Sequence, residues 1–98
     1  MSLDFRLLFA SNGVVSLKLY LVSCDLLQAV DYASLRARLR TIEARPVLAN
    51  QWALHSTHTA AQLKDILKEF IHSGDRIVVT EVGAERASRR ALSNLTEL

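Results

Sequence analysis

The order of hydrophobic patterns along these 98 residues predicts an α+β domain. Three observations carry that prediction. Residues 17–24 place Leu17, Leu19 and Leu21 on one side and Tyr20, Val22 and Cys24 on the other, then stop at Asp25; apolar groups on both sides mark a buried central strand. Thr59-Ala60-Ala61-Gln62 has capping-box spacing, and Leu63, Ile66, Leu67, Phe70 and Ile71 then follow at the spacing of one wide helical stripe. Residues 76–82, Arg-Ile-Val-Val-Thr-Glu-Val, form a second strand-like run directly after that helix. With a first helix and two short strands between these units, the order is β-α-β-β-α-β: a ferredoxin-like sandwich, an antiparallel sheet with two helices on one face.

Each element has its own local reason. Phe5-Arg6-Leu7-Leu8-Phe9-Ala10 precedes the tight-turn pair Asn12-Gly13, so residues 1–16 read as an N-terminal extension, a short extra strand or frayed arm. In residues 32–44, Leu35, Leu39 and Ile42 recur at i, i+4 and i+7; Asp31 is placed to cap this helix and Pro46 to stop it. Pro46-Val47-Leu48-Ala49 and Gln51-Trp52-Ala53-Leu54-His55 read as two short strands, or as one strand kinked at Asn50. Ser73-Gly74-Asp75 closes the second helix, with Gly74 suited to a left-handed C-terminal position. Residues 17–83 make up the ferredoxin-like domain, and residues 84–98 a tail whose stretch 84–95 reads as a short helix exposing Arg86, Arg89 and Arg90. The sheet face without helices is expected to be apolar and to bury itself against a second copy, so a homodimer is expected.

Composition narrows the classes of function. A chain this short holds one core. Twelve basic and ten acidic side chains leave a net charge of +2, but nine of the twelve bases are arginine, whose planar fork suits phosphate. No apolar run reaches the ~18 residues of a membrane-spanning helix. The single Cys24 excludes an internal disulfide framework. These features predict a cytoplasmic protein with no membrane association. The sequence has no glycine-rich phosphate loop and no array of base-stacking aromatics, which argues against nucleotide hydrolysis and single-strand binding; no small-molecule cofactor is expected.

The chemistry-bearing residues are few. Asp25 ends the central strand, where open sheets often place ligands. It is read either as a metal ligand or as the cap of the following turn. His55 and His58 have a spacing compatible with two imidazole ligands; Cys24 and Asp25 are the candidates for a third and fourth, but nothing in the sequence places them together, and the histidines read as a polar loop. Cys24 has no thiolate-stabilising neighbour in sequence and reads as core. Arg36 and Arg40 share a helix face, Arg45 follows, and Arg86 and Arg90 sit in the tail; together they are the candidate phosphate-binding residues.

A strand ending in Asp25, the aromatic-bearing strand Gln51-Trp52-Ala53-Leu54 and the acid–base turn Asp75-Arg76 together resemble the CRISPR-associated protein 2 family and its short orphan relatives. They are also similar, more weakly, to the virulence-associated protein D toxins. The likeness spans residues 17–83. It implies a ferredoxin-like homodimer that binds RNA or DNA. In some members this is a magnesium-dependent endonuclease, and in others a non-catalytic scaffold. In the nuclease case the strand-end acid meets its symmetry mate at the metal, and carried over that residue is Asp25. The chain departs from the family at Cys24, where an aromatic is usual, and in lacking the family's middle-strand serine and further C-terminal strand.

Overall fold

The computed structural model describes residues 16–98; the expected N-terminal extension lies, but for Ser16, outside them. Strand β1 (Lys18–Asp25) is followed by helix α1 (Ala33–Thr41), β2 (Arg45–Leu48), β3 (Gln51–Ser56), helix α2 (Ala60–Leu67) with a 3₁₀ turn (Lys68–Phe70), and β4 (Arg76–Glu81). The sheet order is β2-β3-β1-β4 with every pairing antiparallel, so the ferredoxin-like topology is the one observed. Of the two readings of residues 46–55, the two-strand one holds: Ala49-Asn50 separates β2 from β3. As β1 lies between β3 and β4, both its edges are hydrogen-bonded. Its sequence is apolar on both sides because each face is packed, Tyr20, Val22 and Cys24 in one core cluster and Leu19 and Leu21 in the other.

Residues paired across an antiparallel ladder share a face. Tyr20, Val22 and Cys24 of β1 therefore join Trp52 and Leu54 of β3 beneath Leu35, Leu39, Leu63 and Leu67 of the helices, forming the main core. Thr59 makes the expected box: its hydroxyl accepts the Gln62 N–H (3.1 Å), and the Gln62 side chain accepts the Thr59 N–H (2.8 Å).

Three expectations about the helix ends are corrected. Helix α1 stops at Thr41, before Pro46. The Ala44 N–H bonds the Leu39 carbonyl (2.9 Å) and the Glu43 N–H the Arg40 carbonyl (3.0 Å), a Schellman ending with Glu43 at φ 60°. Pro46 instead lies in β2, an edge strand, where the absent N–H costs no ladder bond. Asp31 does not cap α1, whose N-cap Tyr32 makes no side-chain capping bond; Asp31 pairs with Arg36 at 3.1 Å. Gly74 has no positive φ, because the α2–β4 turn is held by Asp75, whose Oδ2 accepts the His72 N–H at 2.8 Å.

The largest correction concerns the tail. Residues 84–94 contain no helix, and only a 3₁₀ turn at Leu95–Glu97 is helical, opened by the Asn94 side chain accepting the Thr96 N–H. The Leu92 N–H bonds the Val47 carbonyl at the β2 edge (2.8 Å). Leu95 is buried with Leu19, Val47 and Ala53 on the sheet face away from the helices, and Leu21, Val82, Ala91 and Leu98 pack around them. Covering this apolar face outweighs the modest helix propensity of residues 84–95. The face expected to stay open for a second copy is thus half covered by the chain itself.

Candidate functional site

β1 carries Asp25 as its last residue. In register it opposes Arg76, the first residue of β4, and the pair lies on the face away from the helices, beyond the half that the tail covers. Arg76 donates from one terminal nitrogen to Asp25 Oδ2 at 3.3 Å; both side chains are largely exposed, at 73% and 59%. Ser23 and Val78 oppose one another on the same face, and the Gln51 amide donates to the Ser23 hydroxyl (2.9 Å). Val78 is 60% exposed. The open half-face is thus mixed in character: one carboxylate, one guanidinium, a hydroxyl–amide pair and an uncovered valine.

Behind Asp25, on the helix side, Cys24 is buried. Burial first, then the negative charges of Asp75 and Asp25, push its thiol up to about 11. At neutral pH it is a protonated core group, as its sequence context implied, and no nucleophile.

Asp75 is the residue that sequence reading underrated, having entered as the close of the second helix and as half of the acid–base turn. Its Oδ1 accepts the Leu27 N–H (2.8 Å), and its Oδ2 accepts both the Tyr32 hydroxyl (2.7 Å) and the His72 N–H (2.8 Å). Burial pushes this carboxyl up, but the donors from Leu27, His72 and Tyr32 outweigh it and hold the group below its ordinary range. Tyr32, buried and edge-on to His72 at 5.5 Å, in turn accepts the Gln28 N–H (3.1 Å). Its hydroxyl is pushed up by burial and by the Asp75 bond. This cluster fixes the β1–α1 loop that follows Asp25. The only sequence signal for it was an aromatic at the start of a helix.

The arginines divide into groups. Arg36 and Arg40 flank one hollow with Pro46 and Trp52, and Arg40 and Arg45 flank the next with His55, so the three form a strip along the α1–β2 edge. Arg36 is tied to Asp31, whereas among the described residues neither Arg40 nor Arg45 has a carboxylate within 4.0 Å. Glu43 and Glu97 line the second hollow as well. Arg90 is exposed and lies two residues before Leu92, hence within about 7 Å along the backbone of the β2 edge. Arg86 is half-buried, not presented on a helix beside Arg90. Arg38 lies 5.9 Å from the centre of the Phe70 ring.

His58 Nδ1 is 3.2 Å from the Ser56 hydroxyl, which also accepts the His58 N–H (3.0 Å); the loop is polar and self-bonded, as read from sequence. Among the described residues no three His, Cys, Asp or Glu side chains gather as a metal site, and no helix is long and apolar enough to cross a membrane. Comparison with models of known families, with curated proteins and with solved structures finds no match to this chain in any of the three.

Proposed function

We propose that this chain is a homodimeric nucleic-acid-binding protein that grips phosphates with Arg36, Arg40, Arg45 and Arg90. The observation that carries the reading is the strip at the α1–β2 edge, where Arg40 and Arg45 line one hollow and, among the described residues, neither has a carboxylate within 4.0 Å. Guanidinium groups grouped along one edge and not paired with carboxylates suit the phosphates of RNA or DNA. Affinity for a labelled RNA hairpin or DNA duplex is expected to fall steeply with salt. Arg40→Glu with Arg45→Glu should weaken it at least tenfold and flatten the salt slope by about two. Binding that ignores both salt and the double reversal would end this reading and leave a protein-interaction module.

A second reading, magnesium-dependent phosphodiester cleavage, is favoured by the position of Asp25. Magnesium takes oxygen ligands, keeps several waters and is often held by only one or two carboxylates. Asp25 fits that donor set: it is exposed, its Oδ1 has no hydrogen bond among the described residues, and its face is open beside it. One chain offers a single carboxylate there, so Asp25 from each of two copies would hold the ion. Bound there, the ion would polarise the phosphodiester and lower the pKa of an attacking water. Asp25→Asn should abolish magnesium-dependent cleavage while leaving sedimentation and circular dichroism unchanged. Equal cutting by the variant refutes this assignment; salt-sensitive binding with no cleavage by the natural sequence identifies the non-catalytic scaffold.

A further inference from the structure

We infer that Asp25 and Arg76 form an exchange pair: each satisfies the other in the free protein, and each is released to a different ligand, Asp25 to a divalent cation and Arg76 to a phosphate. The inference rests on the nucleic-acid reading above and adds to it a residue, Arg76, that lies off the arginine strip. Three features of the pair support it. The two residues are direct ladder neighbours on the open half-face, so the backbone holds them together whether or not the side chains touch. Their contact is a single one, one guanidinium nitrogen to one carboxylate oxygen, and among the described residues the remaining Arg76 donors make no hydrogen bond. Both side chains are mostly in water, and exposed pairs of this kind are weak enough for a ligand to displace.

The pair at the other end of the same two strands supplies a contrast. Lys18 and Glu81 approach to 3.8 Å with similar exposure, but Glu81 is in register with Tyr20, on the helix side, and lysine lacks the planar fork that moves readily from carboxylate to phosphate. The exchange is therefore specific to the Asp25 end. A cation at Asp25 and a phosphate at Arg76 would favour one another, because each removes the competitor that the other must displace.

The test is a double-mutant cycle on the full chain. With EDTA present, Asp25→Asn should bind a labelled RNA hairpin about threefold to fivefold tighter than the natural sequence, the factor an exposed ion pair is worth. In the Arg76→Met background the same change should give no gain. Glu81→Gln removes an equal charge and should not reproduce the effect. Manganese titration followed by electron paramagnetic resonance, without nucleic acid, should show Arg76→Met tightening the ion by a similar factor and Asp25→Asn abolishing its binding. An equal gain from Asp25→Asn in both backgrounds, or from Glu81→Gln, reduces the effect to bulk charge and overturns the exchange. Manganese affinity indifferent to Arg76 and Asp25 overturns it too. If no variant and not even the natural sequence binds nucleic acid, the proposed function fails, and the manganese arm alone then decides the exchange.

Discussion

At the end of α1 the chain turns on Glu43, an L-residue at φ 60°, in a position that glycine usually takes. The left-handed conformation costs a non-glycine residue roughly 1 kcal/mol or more, while glycine loses part of that advantage through its freer unfolded chain. Glu43→Gly is therefore expected to raise stability by about 0.5 kcal/mol in urea unfolding. It also removes an acid from the hollow shared by Arg40 and Arg45, so nucleic-acid affinity should rise slightly with it. Lower stability would show that the Glu43 side chain does more for the helix end than its backbone costs. Arg90 takes the same conformation, at φ 59°. In both places an ordinary side chain concealed a turn, whereas Gly74, which advertised one, does not use its special freedom.

Among elements, the decisive join is Asp75, which binds the β1–α1 loop at Leu27 and Tyr32 to the α2–β4 turn at His72. Its carboxyl is held below the ordinary value near 4, so its contribution is fully present above that value and fades as pH falls through the lower, folded one. Thermal stability should hold from neutrality down to about pH 4 and then decline. Asp75→Asn, which cannot accept three donors with the same charge, should start less stable at pH 7 and lose less between pH 4 and pH 2. An unchanged acid limb in the variant would assign that limb to other carboxylates. This join also marks where sequence reading stopped. The two-faced β1 and the Thr59–Gln62 box were legible because their causes lie within a few residues. The Tyr32–Asp75 bond spans 43 residues, and only the folded sheet brings its ends together. Asp25 was legible as a strand end, and Arg76 as half of a turn; that they face each other depends on the β1–β4 register, which no local pattern encodes.

For the molecule as a whole, the sheet buries its two faces by different means: two helices on one side, the chain's own tail on half of the other. The alternative, an amphipathic helix over residues 84–95, differs in a way that two leucines can report. On a helix Leu92 and Leu95 stand three apart and share a face, so truncating either would cost a similar amount. In the structure Leu95 is 8% exposed against Leu19, Val47 and Ala53, while Leu92 is 66% exposed and contributes its backbone N–H to Val47. Leu95→Ala should therefore lower unfolding free energy by about 2 kcal/mol, and Leu92→Ala by less than about 0.5 kcal/mol, both read from urea midpoints at constant slope. Equal losses would restore the helix. The difference bears on assembly, because a tail seated on Leu19 and Ala53 leaves the Asp25 end as the open part of that face. Leu95→Ala, by loosening the cover, should then increase self-association in sedimentation velocity, since it uncovers apolar surface around Leu19, Val47 and Ala53.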